Sequence, residues 1–185
     1  MLDDIQNDAK TRMGKSIDAL EHELRRLRTG RASTALVEGI KVPYYGSDMP
    51  LSQVATVTVS DARTLTITPW EKPMVAAVEK AILGSDIGVT PTTAGNVIRL
   101  NLPALTEERR KELARHVAHE GEQSKIAIRN IRRDAIQQVK ELLKEKEITE
   151  DDQHQADDEI QKLTDSFVKQ VDQVVKTKED ELMAL

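Results

Sequence analysis

The stretch that decides the fold is LARHVAHEGEQSKIAIRNIRRDAIQQVKEL, residues 113–142. Its apolar and small residues recur every three or four positions, which places them on one face of an α-helix. This stripe comprises Leu113, Val117, Gly121, Ser124, Ile128, Ile131, Ala135, Val139 and Leu142. Thr106 is the predicted N-cap of this helix. The sequence therefore predicts one long amphipathic helix that must bury its stripe against other helices.

Two further stripes with the same spacing predict two more long helices. The first runs from Leu2 to Leu27 and is expected to end at Thr29-Gly30, with the glycine in a C-terminal cap position. The last stripe, which follows a predicted N-cap at Thr149, comprises Ala156, Ile160, Leu163, Phe167, Val171, Val174, Leu182 and Leu185. A helix with one apolar face cannot bury that face alone, so the three helices are predicted to pack together.

The centre of the chain has a different composition. All six prolines lie between residues 43 and 103, and the flanks 1–29 and 106–185 contain none. Proline breaks helices, so the flanks can form long helices and the centre must consist of turns and short elements. Alternating apolar and polar residues predict short strands there, and Pro73 predicts the first turn of a short helix. The predicted segments are strands at 40–45, 54–59, 64–68 and 97–102, and a helix at 74–83 that Gly84 closes.

These two compositions predict an α+β protein with two domains. An elongated antiparallel three-helix bundle is expected from residues 1–29 and 106–185, with a small β/α domain, residues 31–104, inserted into it. The two short crossings between the domains permit a hinge near residues 30–31 and 102–105. The candidate hinge residues are Gly30, Arg31, Leu102 and Pro103.

Composition excludes several classes of function. The chain contains no cysteine, which rules out disulfides, a zinc ribbon, a thiol nucleophile and an iron–sulfur cluster. It has no run of about 18 apolar residues and no N-terminal leader pattern, so a soluble, unexported, cytoplasmic protein without a membrane partner is expected. The formal net charge is −5, which is not typical of a general nucleic-acid binder. Hydrophilic outer faces on the helices favour a monomer.

Basic residues nevertheless collect on one side of the second long helix. That sector comprises Lys111, Arg115, Lys125, Arg129, Arg132, Arg133 and Lys140, and its core runs from Lys125 to Arg133. One interpretation is a solvated face whose bases pair with the third helix, where residues 148–185 carry eleven acidic and four basic residues. The other is a row of arginines that binds phosphates of folded RNA. The chain has too few aromatic residues to favour single-stranded RNA.

Catalytic and metal-binding patterns are weak. His116, His119 and Glu120 do not have the spacing of a zinc protease motif, so surface histidines, no metal and no catalytic residue are expected. No glycine-rich phosphate loop is present, and no cofactor is expected. Tyr44-Tyr45 is expected to pack within a strand, although a stacking platform for RNA bases is the alternative.

Several stretches together are similar to one protein family. They are residues 25–33 (RRLRTGRAS), 44–46 (YYG), 103–111 (PALTEERRK), 129–134 (RNIRRD), 147–152 (EITEDD) and 161–165 (QKLTD). Their order and spacing resemble the bacterial ribosome recycling factor family over essentially the whole chain. The resemblance implies an L-shaped molecule, with the bundle as the long arm and the inserted domain as the short arm.

The resemblance also implies a function and its partners. Such a factor enters the intersubunit space of the ribosome after termination and, with elongation factor G and GTP, splits the subunits so that mRNA and tRNA leave. The bundle would dock on large-subunit ribosomal RNA, and elongation factor G would push the inserted domain about the hinge. The implied RNA contacts are Arg129, Arg132 and Arg133, with Arg28 and Lys125 as further candidates. No catalysis by this chain is implied.

Arg28 and Arg31 also have an alternative role, because bases near the end of a helix complement its dipole. For the whole protein, the alternative function is a helical adaptor that binds another protein and has no affinity for RNA. Neutralisation of the basic sector by acids of the third helix would favour the adaptor.

Overall fold

The computed structural model describes residues 1–27 and 30–184. The chain divides into two compact units, Met1–Thr29 with Thr106–Ala184 (the bundle unit) and Gly30–Leu105 (the inserted unit). The helices and strands, in chain order, are α1 Leu2–Arg25, β1 Lys41–Tyr44, β2 Ser47–Pro50, β3 Ala55–Asp61, β4 Thr64–Pro69, α2 Val75–Leu83, β5 Thr92–Ala94, β6 Val97–Asn101, α3 Glu107–Lys144 and α4 Glu150–Met183. The α+β fold class predicted from the sequence is confirmed.

The bundle unit consists of α1, α3 and α4, and each helix packs against the other two. Contacts between the helices fix their directions. Arg12 of α1 pairs with Asp134 of α3 at 3.1 Å, and four residues later Ser16 accepts a hydrogen bond from Ser124. Residue numbers thus rise along α1 as they fall along α3, so the two helices are antiparallel.

The caps of the two longest helices lie where the sequence predicts them. The Thr106 hydroxyl accepts the backbone N–H of Arg109 (3.1 Å) at the start of α3. At the start of α4, Thr149 and Asp152 form a capping box in which each side chain accepts the other residue's backbone N–H. Both caps satisfy N–H groups that the first turn of a helix leaves without partners.

The end of α1 differs from the prediction. The helix ends at Arg25 and its C-cap is Arg26, which has right-handed backbone angles and donates its N–H to the carbonyls of Glu23 and Leu24. The expectation that Gly30 caps this helix is therefore wrong, since the helix stops several residues earlier. Thr29, the other residue of the predicted cap, lies outside the described residues.

The core of the bundle unit follows the middle of the predicted stripes, while members nearer the helix ends, such as Leu142 and Val174, are only half-buried, and Leu185 lies outside the described residues. Thr164 is buried on α4, whereas Leu163, which the stripe includes, is only half-buried. Burial of Thr164 is tolerated because its hydroxyl donates to the carbonyl of Ile160 at 2.8 Å and is not left unsatisfied.

One contact between α3 and α4 is unusually close. A Cβ atom built on Gly121 would lie 2.5 Å from Cγ2 of Val175. Only glycine therefore fits this position of α3 without displacement of the facing valine.

The inserted unit contains two antiparallel sheets and one helix. Strands β1 and β2 form a hairpin, and the second sheet has the order β3-β4-β6-β5. Helix α2 packs against β1, β4 and β6. The buried side chains of the unit form one core that includes Val42, Leu51, Leu65, Ile67, Val78, Ile82, Ile98 and Leu100.

Two strands of this unit were not predicted. Strands β2 and β5 have only four and three residues, neither contains a fully buried side chain, and β5 is exposed along its whole length. Their side chains carry little apolar signal, and their pairing with β1 and β6 holds them in place. The helix predicted at 74–83 begins at Val75, because Pro73 lies in a separate 3-10 turn, Lys72–Met74.

Candidate nucleic-acid interface

The candidate interface lies on α3, on the side away from its buried stripe. We call Arg129, Arg132 and Arg133 the arginine cluster. Arg129 and Arg133 are exposed, and Arg132 is half-buried. Ile128, which precedes Arg129, and Ile131, which lies between Arg129 and Arg132, are buried in the bundle core. Because α3 is continuous from Glu107 to Lys144, the three arginines are presented on a regular, well-anchored helix.

The arginine cluster makes only neutral contacts. Nη1 of Arg132 donates to Oε1 of Gln161 on α4 at 3.4 Å, and Nη1 of Arg133 donates to Oδ1 of Asn130 at 3.5 Å. Within residues 1–27 and 30–184, no carboxylate pairs with any of the three guanidinium groups. Each keeps most of its five N–H donors for an external acceptor. The solvated-face interpretation, in which acids of α4 neutralise these bases, is not supported for the arginine cluster.

Lys125, one turn earlier on the same helix, is in a different state. Its Nζ lies 2.5 Å from Oδ1 of Asp172 on α4 and 3.5 Å from Oε1 of Glu122. The side chain is only 17% exposed. The hydrogen bond to Asp172 is the main cause that raises the pKa of the Lys125 ammonium group. Lys125 is thus a cation that the bundle itself neutralises.

The remaining bases of the sector divide in the same way. Lys111 pairs with Glu107 at 3.5 Å. Arg115 and Lys140 are exposed and have no ion pair among the described parts of the chain. The nearest acid in sequence to the arginine cluster, Asp134, is engaged by Arg12 of α1. The open positive charge therefore centres on the arginine cluster.

The candidate hinge residues lie at one end of the inserted unit. Gly30 has a φ of +79°, in the left-handed region that favours glycine. A Cβ atom at Gly30 would lie 3.0 Å from Cγ of Leu105. Arg31 and Pro103 are exposed and Leu102 is half-buried. Arg28, the remaining candidate for RNA contact, lies outside the described residues.

The tyrosine pair is oriented by a residue that the sequence did not single out. Both hydroxyls donate to Glu71, Tyr44 to Oε1 at 2.9 Å and Tyr45 to Oε2 at 3.0 Å, which raises the pKa of each phenol. Tyr44 packs against the core of the inserted unit, whereas Tyr45 is 78% exposed. The expectation of strand packing is confirmed for Tyr44 and wrong for Tyr45.

The histidines lie on the surface. His22, His116, His119 and His154 are all exposed. Nε2 of His116 lies 3.9 Å from Oε1 of Glu120 one turn later. The described residues contain no group of three or more potential ligands that could hold a metal ion. Nor does that part of the chain include a helix with the length and apolarity needed to cross a membrane.

The partners that separate Lys125 from the arginine cluster could not be found from the sequence. Asp172 and Gln161 both belong to α4, and which residue of α4 faces which residue of α3 depends on the packed register of the two helices. The sequence periodicity fixes only which face of each helix is apolar. The excess of acids on the last helix correctly indicates that α4 can pair with bases of α3. It does not show which base has which partner.

Fold and site together define a class of protein: a helical bundle that carries an inserted α+β unit and a row of unneutralised arginines on its longest helix. The family model of the ribosome recycling factor matches residues 20–183 of this chain. The ribosome-recycling factor of Xanthomonas euvesicatoria pv. vesicatoria (strain 85-10) is 63% identical over 185 residues and covers all of both chains. The chain belongs to the ribosome recycling factor family, as its resemblance in sequence indicated.

Solved structures agree with this assignment. The solution structure of a ribosome recycling factor matches with a TM-score of 0.77 and 41% identity, over 100% of this chain and 98% of that one. A second match, with a TM-score of 0.65, 46% identity and 98% coverage of each chain, is the T. thermophilus ribosome recycling factor. It belongs to models of that factor and E. coli elongation factor G bound to the E. coli post-termination complex.

Proposed function

We propose that this chain recycles ribosomes. With elongation factor G and GTP, it disassembles the post-termination complex, splits the subunits and releases mRNA and tRNA. The observation that carries the proposal is membership of the family over the full chain, at 63% identity to a curated ribosome-recycling factor. The T. thermophilus relative, which is bound with elongation factor G to a post-termination complex, supports the same partners.

The binding step uses the arginine cluster on large-subunit ribosomal RNA. Guanidinium groups bind phosphate oxygens through two parallel N–H donors, and these three have no competing carboxylate within the described residues. Arg132 reaches Gln161 through a weak neutral contact that a phosphate can replace. A row of cations along one rigid helix suits the regular phosphate spacing of folded RNA better than a flexible single strand.

Lys125 has a different role in this proposal. Its charge is held by Asp172, and release of that pair to bind RNA would leave a carboxylate facing the phosphates. We therefore assign Lys125 to the attachment of α4 to α3 and not to the RNA contact. Arg28 stays a candidate contact on the grounds of sequence alone.

The mechanical step uses the two-unit organisation. Elongation factor G moves the inserted unit about the hinge while the bundle unit stays docked, and the motion strains the contacts between the subunits. The bundle must be stiff, because a compliant one would absorb the movement. GTP hydrolysis belongs to elongation factor G, so this chain acts without catalysis or a cofactor of its own, as a monomer in the cytoplasm.

The alternative of a protein adaptor lacks support. An adaptor would be favoured if acids of the last helix neutralised the basic sector. That condition is met at Lys125 but not at the arginine cluster. No contact among the described residues favours an adaptor over an RNA-binding factor.

The proposal is tested with purified post-termination complexes. Light scattering reports subunit splitting when the chain, elongation factor G and GTP are all present, and we expect no splitting when any one of them is left out or when GTP is replaced by a non-hydrolysable analogue. Intact complexes in the full mixture would contradict the proposal.

The RNA contact is tested with matched single variants. Arg132→Gln keeps most of the aliphatic stem and removes the charge, and we expect it to weaken ribosome binding by about 1.5–3 kcal/mol, the range for a hydrogen bond to a charged group. Arg109→Gln removes a charge that Glu112 already pairs at 3.0 Å on the same helix, and should bind as the unsubstituted chain does. Equal affinities for the two variants would argue against the arginine cluster.

A further inference from the structure

The turn between β3 and β4 forms hydrogen bonds to both segments that connect the inserted unit with the bundle unit. We call these segments, residues 30–32 and 102–105, the first and the second crossing. The N–H of Ala32, on the first crossing, donates to the carbonyl of Ala62 at 2.7 Å. The N–H of Leu102, on the second crossing, donates to the carbonyl of Arg63, also at 2.7 Å. Two successive carbonyls of one tight turn thus fasten two segments that are far apart in sequence.

Asp61 fixes the shape of this turn. Its Oδ1 accepts the backbone N–H of Arg63 at 2.9 Å, and that hydrogen bond is the main cause that lowers the pKa of the carboxyl group. The strand register also shifts between Val59 and Asp61, which marks a bulge at the end of β3. A bulge and an aspartate-closed turn are local devices that aim backbone groups in set directions.

A side-chain contact joins the two crossings to each other. Gly30 lies against the side chain of Leu105, close enough that a Cβ atom would reach 3.0 Å from Cγ. Gly30, Arg63, Ala104 and Leu105 also line one small cavity. The segments 30–32 and 102–105 are therefore fastened both to the turn and to each other.

We propose that Asp61 is a positioning residue for ribosome recycling. It shapes the turn that clamps both crossings to the inserted unit, so the force that elongation factor G applies to that unit is not lost in slack connecting segments. The inference rests on the proposed function and changes one part of it. Arg31, Leu102 and Pro103 then move as part of the inserted unit and are not the points about which it rotates.

The first test compares three aspartate variants. Asp61→Ala removes the acceptor, Asp61→Asn keeps an acceptor oxygen, and Asp48→Ala removes an exposed carboxylate from β2 of the same unit as a control. At saturating factor, we expect Asp61→Ala to slow splitting by about fivefold, the low end of coupling between two sites. Ribosome affinity should stay unchanged and the melting temperature should fall by only about 2–4 °C, as expected for the loss of one hydrogen bond. Asp61→Asn and Asp48→Ala should split subunits at the normal rate.

The second test measures, in the absence of the ribosome, how freely the inserted unit moves relative to the bundle unit. We call the turn and its hydrogen bonds to both crossings the clamp. The chain contains no cysteine, so Ser166→Cys on α4 and Thr92→Cys on β5 provide a unique pair of sites for spin labels. We expect the distance distribution between the labels to broaden in Asp61→Ala and to return to its original width in Asp61→Asn. If Asp61→Ala fails to fold, two glycines inserted between Ala62 and Arg63 loosen the same turn and replace it in both tests.

The outcomes separate this inference from the proposed function. If the unsubstituted chain splits subunits and Asp61→Ala does so at the same rate with an unchanged distance distribution, the clamp is wrong and the proposed function stands. If Asp61→Ala loses ribosome binding together with splitting, the residue is not a positioning residue and the inference is again wrong. If the unsubstituted chain does not split subunits, the proposed function itself fails.

Discussion

Different kinds of interaction stabilise the interior of the bundle unit and the interior of the inserted unit. The bundle unit depends on side chains that pack between three long helices, including the close contact of Gly121 with Val175. The inserted unit combines a hydrophobic core with special backbone conformations, including Gly30 at a φ of +79° and the exposed Tyr45 at +46°. The proposed function assigns binding to the bundle unit and movement to the inserted unit, and the different construction of the two units suits those roles. Each of the following changes should damage one unit and spare the other.

The largest expected effect is on the bundle unit. Gly121→Val adds a branched side chain where a single Cβ atom already meets Val175 at 2.5 Å. Overpacking at such a site should lower the free energy of unfolding by about 3 kcal/mol. Chemical denaturation of the bundle helices, followed by circular dichroism, measures the loss. Addition of Val175→Ala should recover most of it, and equal losses with and without that second change would show that the close contact is not the cause.

The corresponding change in the inserted unit is Gly30→Ala. A non-glycine residue in the left-handed region costs about 1–2 kcal/mol, and the contact with Leu105 adds strain. We expect the amide protons of β3, β4 and β6 to exchange faster with solvent, while those of α3 keep their protection. Uniform loss of protection in both units would mean that they unfold as one body.

A smaller loss is expected from the helix cap of α4. Thr149→Ala removes the hydroxyl that accepts the N–H of Asp152 at 3.1 Å, and should destabilise the bundle unit by about 1 kcal/mol. Thermal melting of this variant is compared with that of Thr177→Ala, which removes an exposed hydroxyl far from the cap, toward the C-terminal end of the same helix. The difference between the two variants gives the contribution of the cap. An equal loss in both variants would contradict the assignment of the cap.

The same cap gives a pH dependence of known sign. Hydrogen bonds from Thr149 lower the pKa of Asp152 in the folded state. The stabilisation from its ionised form is therefore complete above the unfolded pKa of about 3.9 and is lost as pH falls through the lowered folded value. The stability difference between the unsubstituted chain and Asp152→Ala should shrink over that acidic window, and a difference that stays constant to lower pH would contradict this account.

The smallest effect is expected at Lys125. Lys125→Gln breaks the pair with Asp172, which is 60% exposed, and should cost about 0.5–1 kcal/mol of stability. This variant should lose less ribosome affinity than Arg129→Gln, because Arg129, one turn away on the same helix, has no carboxylate partner within the described residues. Titration of labelled ribosomes with the two variants compares them directly, and a larger loss at Lys125 would return this residue to the RNA contact.

Periodicity and capping chemistry account for what the sequence predicted. The spacing of apolar residues and the absence of proline predicted α3 and α4, and the hydroxyls of Thr106 and Thr149 marked their first turns correctly. Strands β2 and β5 were missed because strands of three or four residues without a fully buried side chain carry no periodic signal.

The candidate site was predicted only as far as one helix can reveal it. The sequence placed Lys125 and the arginine cluster on one side of α3, which the exposure of Arg129 and Arg133 matches. It could not separate Lys125 from the others, because Asp172 approaches from another helix. Contacts between helices depend on packed register, and periodicity within a helix does not determine that register.

The salt dependence of ribosome binding tests the central claim most directly. The variant Arg129→Gln/Arg132→Gln/Arg133→Gln loses three open charges, and a control, Arg12→Gln/Arg109→Gln/Lys111→Gln, loses three that carboxylates already pair. For the first, the plot of log affinity against log salt should become shallower by about three, one for each lost phosphate contact, with unchanged melting of the bundle. An unchanged slope, or the same change in the control, would contradict the claim that these three arginines bind RNA.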